Sequence, residues 1–83
     1  MDNIEFINYV NTNFADTYKA HLQQYAPYPH IMFKSIEHNE FISIPVYENQ
    51  VISEKARDEI LNSVNDYFSI DNVKQRRPNL IID

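Results

Sequence analysis

The chain has 83 residues, a formal charge of −5, no cysteine and no glycine. That length makes one domain rather than two, and the missing cysteines exclude disulfides and thiolate metal sites. The missing glycines exclude phosphate-cradling loops of the P-loop or dinucleotide-binding kind, and leave asparagine, aspartate or histidine for every turn that needs positive φ. Hydrophobic residues make up 43% of the chain, enough for a core and against disorder throughout. No apolar run approaches the roughly 18 residues of a membrane span, and the acidic start MDNIEF lacks a signal peptide's basic and apolar regions. The expectation is a soluble, cytoplasmic protein.

In chain order, residues 3–25 are expected to form a helix. Ile7, Val10, Phe14, Tyr18 and Leu22 recur at spacings of three and four, widened by Phe6 and Tyr25. Asp2 or Asn3 can cap its start, and Pro27 and Pro29 stop it. From residue 30 the period changes. IMFKSIE and EFISIPVY are rich in β-branched and aromatic residues, and His38-Asn39 between them suits a tight turn. Pro45 places its run at a sheet edge or bulge, because it has no N–H to give a neighbouring strand. Glu48, Asn49 and Gln50 make a second turn, and Val51-Ile52 can begin a short third strand.

Residues 53–69 are expected to form the second helix, capped by Ser53. Its apolar face holds Ala56, Ile60, Val64, Tyr67 and Phe68 with Leu61 beside it, while Ser69, Asp71 and Asn72 bring it to a close. The fold class is therefore α+β, two amphipathic helices packed on a small antiparallel sheet of two to three strands. The domain spans 1–73, and 74–83 form a basic and aliphatic tail that can add a further strand. The expected core is Ile7, Val10, Phe14, Leu22, Ile42, Ile44, Ile60, Val64 and Phe68.

Charge divides the chain unevenly. Residues 1–73 hold four basic and eleven acidic side chains, whereas 74–83 hold three basic and one acidic. An acidic body repels nucleic-acid phosphate and suits a partner protein with a basic surface. Glu54, Asp58 and Glu59 on the second helix, with Glu37 and Glu40 at the hairpin turn, are the candidate partner-binding residues. The KQRR cluster, with Lys74, Arg76 and Arg77, is the alternative nucleic-acid site, though three charges leave a small footprint. Leu80, Ile81 and Ile82 have high strand preference and are the candidate oligomerisation segment, by strand addition to the chain's own sheet or to a second copy in a homodimer.

No grouping points to catalysis. His21, His30 and His38 lack the spacing of a metal site even with Glu37 and Glu40 near His38, and no serine sits in a nucleophile elbow. No cofactor or metal is implied. The composition fits a non-enzymatic protein-binding module, such as a phage- or mobile-element inhibitor of the anti-CRISPR kind. The alternatives are a homo-oligomer assembled through its tail and a nucleic-acid regulator.

Overall fold

The computed structural model describes residues 1–24, 27–47 and 51–76. Its order is α1 (Asn3–Asn13), β1 (Tyr18–Gln23), β2 (His30–Ser35), β3 (Phe41–Pro45), α2 (Glu54–Tyr67) and α3 (Ile70–Arg76). The strands form one antiparallel meander, β1-β2-β3, so β2 is central. The α+β class expected from the sequence is the one observed. Pro78 and the aliphatic run Leu80–Ile82 lie outside the described residues, as do Tyr25, Arg77 and the turn at 48–50.

The segment 3–25 is not one helix. It is α1 followed by β1, and the reason is visible in its spacing. Tyr18 and Leu22 are four residues apart, a distance that fits one helical turn and also two strand repeats. The shorter alternation decides between them, because Tyr18, Ala20 and Leu22 face inward while Lys19 and His21 face solvent. The stop lies in NTNFADT, residues 11–17, whose Asn, Thr and Asp side chains favour turns over helix interiors. The start is as expected: Asp2 Oδ1 accepts from Glu5 N at 2.8 Å and Glu5 Oε1 accepts from Asp2 N at 3.0 Å, a reciprocal cap.

The third strand thus precedes the hairpin instead of following it. Val51-Ile52 does not join the sheet. Ile52 exchanges backbone hydrogen bonds with Met1, at 2.7 Å and 3.0 Å, and ties the N-terminus to the start of α2. The turn between β2 and β3 carries Asn39 at φ 52°, the left-handed position that glycine would otherwise fill. Ser53 caps α2, its hydroxyl accepting from Ala56 N at 3.1 Å. A further short helix, α3, follows Phe68 where the sequence suggested an end, and its Val73 is fully buried.

Both longer helices cover the same face of the sheet. Phe6, Ile7 and Val10 of α1 and Leu61, Val64 and Phe68 join Tyr18, Ala20, Ile31 and Phe33 in one apolar cluster. Phe6 meets Phe33 edge to face with ring centres 6.1 Å apart. Of the expected core, Ile7, Val10, Val64 and Phe68 are buried. Phe14, Leu22, Ile42, Ile44 and Ile60 pack against the cluster but stay half-buried.

The two sheet edges are treated differently. Hydrogen bonding alternates along each strand, and Ser35 N to Glu40 O and Val46 N to Pro29 O fix its phase on β2–β3. Residues 42 and 44 therefore bond to β2, while the backbone groups of Phe41, Ser43 and Pro45 point to the free edge. The N–H that Pro45 lacks falls on that free side, so the ladder loses nothing. On β1 the outward groups are those of Tyr18, Ala20 and Leu22. There Asn11 of α1 stands in for a neighbouring strand. Ala20 N donates to Asn11 Oδ1 at 2.8 Å, and Asn11 Nδ2 donates to Ala20 O at 2.9 Å.

Candidate functional site

The acidic candidates divide by what they touch. Glu54, Asp58 and Glu59 are all exposed on α2 but do not share one face: at 3.6 residues per turn Glu54 and Asp58 flank the row of the buried Leu61, while Glu59 turns to the other flank of the helix. Arg57 lies within 3.7 Å of Glu54 and 3.5 Å of Asp58, and its guanidinium sits 4.9 Å from the centre of the Tyr9 ring. Two of the three carboxylates are thereby partly neutralised by their own helix. Glu59 makes no ion pair among the described residues and stands on the rim of an apolar groove.

That groove runs between β3 and α2. Ile42, Ile44, Val46, Ala56 and Ile60 line it with Glu59, and its volume is about 470 Å³. It exists because β3 is an edge strand and α1 packs against the opposite edge, on β1. Beside it, the outward N–H groups of Phe41 and Ser43 have no backbone partner among the described residues. An unpaired edge next to an apolar trough can accept an extended segment, with backbone bonds along the edge and side chains in the trough. The sequence placed Ile42, Ile44 and Ile60 in the core. Alternation reveals which way they face but not how much covers them, and only the Pro45 edge signal hinted at their exposure.

At the hairpin turn Glu37 is exposed, with its carboxylate 3.8 Å from His38. Glu40 is only 12% exposed at its side chain, because Arg76 of α3 reaches it at 3.1 Å. The same guanidinium lies 3.7 Å from the Tyr67 ring centre. Glu40 and Arg76 therefore hold α3 against the turn, and neither presents an open charge to a partner. Lys74 is exposed on α3. Arg77, Leu80, Ile81 and Ile82 belong to the undescribed residues, and so does Glu48.

His38 and Glu37 also border a cleft of about 130 Å³ with Asp16, Tyr18, Ser35 and Asn65. Small-molecule sites usually enclose about 300–1,000 Å³. The Tyr18 hydroxyl donates to Asn65 Oδ1 at its wall, and burial pushes the phenol pKa above its ordinary value of 10. No group of three or more potential metal ligands occurs among the described residues, and none of the described helices is long and apolar enough to cross a membrane. Comparison with protein-family models, curated proteins and solved structures finds no match to this chain.

Proposed function

We propose that the protein is a non-enzymatic binding module that occupies a partner protein's basic surface through α2 and the adjoining β3 edge. The observation that carries this is the unpaired edge of Phe41 and Ser43 beside an apolar groove rimmed by Glu59. A partner segment lying along β3 would gain backbone hydrogen bonds and bury its apolar side chains against Ile42, Ile44 and Ile60. Its basic side chains would meet Glu59 on the groove rim. Small size, net acidity and a sequence with no catalytic grouping support reading such a module as a phage- or mobile-element inhibitor of the anti-CRISPR kind, acting in a bacterial cytoplasm.

The test uses two variants against the stoichiometric partner recovered from a bacterial lysate at low salt. Asp58→Lys with Glu59→Lys reverses the charge at two exposed positions of α2, Glu59 being the one on the groove rim. Ser43→Pro removes an outward donor and no ladder bond. Each is expected to weaken the measured affinity at least tenfold while circular dichroism stays unchanged. Unaltered affinity in both variants refutes the surface.

Self-assembly is the alternative, and the edge register favours it specifically. Two copies of β3 paired antiparallel about Ser43 would satisfy every outward N–H of Phe41 and Ser43, leaving only each Phe41 C=O without a donor because the Pro45 opposite has no N–H. Light scattering decides: a monomeric mass at high concentration removes this alternative.

A further inference from the structure

The strand register separates charge in a way that composition hides. Both longer helices cover one face of the sheet, and neither packs on the other face. Its outward positions are Lys19, His21 and Gln23 on β1, His30, Met32 and Lys34 on β2, and Phe41, Ser43 and Pro45 on β3. None is a carboxylate, in a chain that has 12 acidic and 7 basic residues. Lys19 and Lys34 are direct cross-strand partners. Like charges so placed destabilise a ladder, and no carboxylate lies within salt-bridge distance of either among the described residues. Phe41 is next in the same row and is 59% exposed. At the other end of the face, the exposed Tyr28 stacks on His30 with ring centres 5.8 Å apart.

We propose that this open face binds single-stranded nucleic acid. Lys19 and Lys34 take the phosphates, while Phe41 and the exposed Tyr28, which stacks on His30, offer ring faces to the bases. Phe41 and His30 stand four strand residues apart, about 13 Å at the usual rise, which gives a short strand two stacking stations with the lysines beside the first. Exposed rings next to unneutralised cations favour unpaired bases over an acidic protein, which has no use for a stacking surface. They also disfavour a duplex, whose bases are already stacked.

The net negative charge does not forbid this. The carboxylates of α2 belong to the helical layer, and packed layers lie about 10 Å apart, more than the Debye length of about 8 Å at physiological salt. The site also differs from the basic cluster in the tail, where Arg76 is committed to Glu40 and Tyr67.

Fluorescence anisotropy tests the proposal with labelled 12-nucleotide RNA and DNA single strands and the matching duplex, at about 50 and 200 mM salt. Two phosphate contacts on a single strand predict a slope near −1.4 in log K against log salt, about a sevenfold weakening across that range. Lys19→Ala with Lys34→Ala is expected to remove most binding and its salt dependence, with an unchanged or higher melting temperature because the like-charge pair is gone. Phe41→Ala should weaken binding about fivefold or more and leave the slope unaltered. Lys55→Ala with Lys74→Ala removes the same charge elsewhere and should change binding little. The proposal is overturned if the strands do not bind, if binding survives loss of Lys19 and Lys34, or if the duplex or an acidic peptide binds more tightly than either strand.

Discussion

The Asn11 clamp on β1 is open to a direct measurement. Asn11→Ala removes both hydrogen bonds to Ala20, a residue only 3% exposed. A hydrogen bond contributes about 0.5–1.5 kcal/mol net, and a buried group left unsatisfied costs more. Asn11 itself is solvent-accessible, so water can replace part of what is lost. The expected loss is about 1–2 kcal/mol. For a domain of this length, each kcal/mol moves the melting temperature by about 4–8 °C, so the variant should melt roughly 4–16 °C lower. Thermal circular dichroism measures the shift, and hydrogen exchange locates it. The Ala20 amide, protected in the native chain, should exchange faster in the variant than its β2-bonded neighbours do. Asn11→Asp keeps the acceptor for Ala20 N–H but sets a carboxylate against Ala20 C=O, so at neutral pH it should be no more stable than Asn11→Ala. A melting temperature within 1 °C of the native value, with Ala20 protection intact, would refute the clamp.

Two further outcomes concern α3 and the cleft. Arg76→Ala removes a partly buried charged hydrogen bond to Glu40 and a cation–π contact with Tyr67. About 1–3 kcal/mol should be lost, chiefly as fraying of α3, and Arg76→Lys should restore only part because it lacks the planar fork. Equal exchange rates across α3 in the native and variant chains would contradict this. Tyr18 fits its site as the neutral phenol. Its folded pKa is raised above 10, so its contribution is complete below pH 10 and is lost as pH rises through the higher folded value. Tyr18→Phe should cost about 1 kcal/mol at pH 7 through the lost bond to Asn65, and flatten the loss of stability above pH 10. The difference between native and variant ultraviolet titrations isolates this phenol, and ionisation at or below pH 10 would contradict the burial.

How much of this was legible in the sequence depends on whether a signal was local. Ser53 with the spacing through Val64 announces α2 because capping and helical period act within a few residues. Asn39 announces its turn for the same reason, since a glycine-free chain has few ways to reach positive φ. The boundary between α1 and β1 was hidden because a spacing of four satisfies both periods, and the breaker lay in a run of modest turn formers with no proline among them. The Asn11–Ala20 pairing was hidden more deeply, because nothing local says that an asparagine on a helix will complete the edge of a strand.

Surface chemistry depends on register above all. Whether Lys19 meets Lys34 or a residue on either side of it is set by a one-residue choice, and a slip of β1 would turn Lys19 toward the core and away from Lys34. Once that choice is fixed by Ala20, Ile31 and Phe33 seeking the apolar cluster, the polar positions between them must share the opposite face. The acids of α2 belong to the helical layer, on the other face of the sheet from both lysines. A net charge of −5 averages these two surfaces into one number and describes neither. The same hydrophobic contacts that fold the chain thus separate an acidic helical side from a basic, aromatic sheet side. Under the two proposals above, a protein partner and a nucleic-acid strand would meet different faces of the one domain.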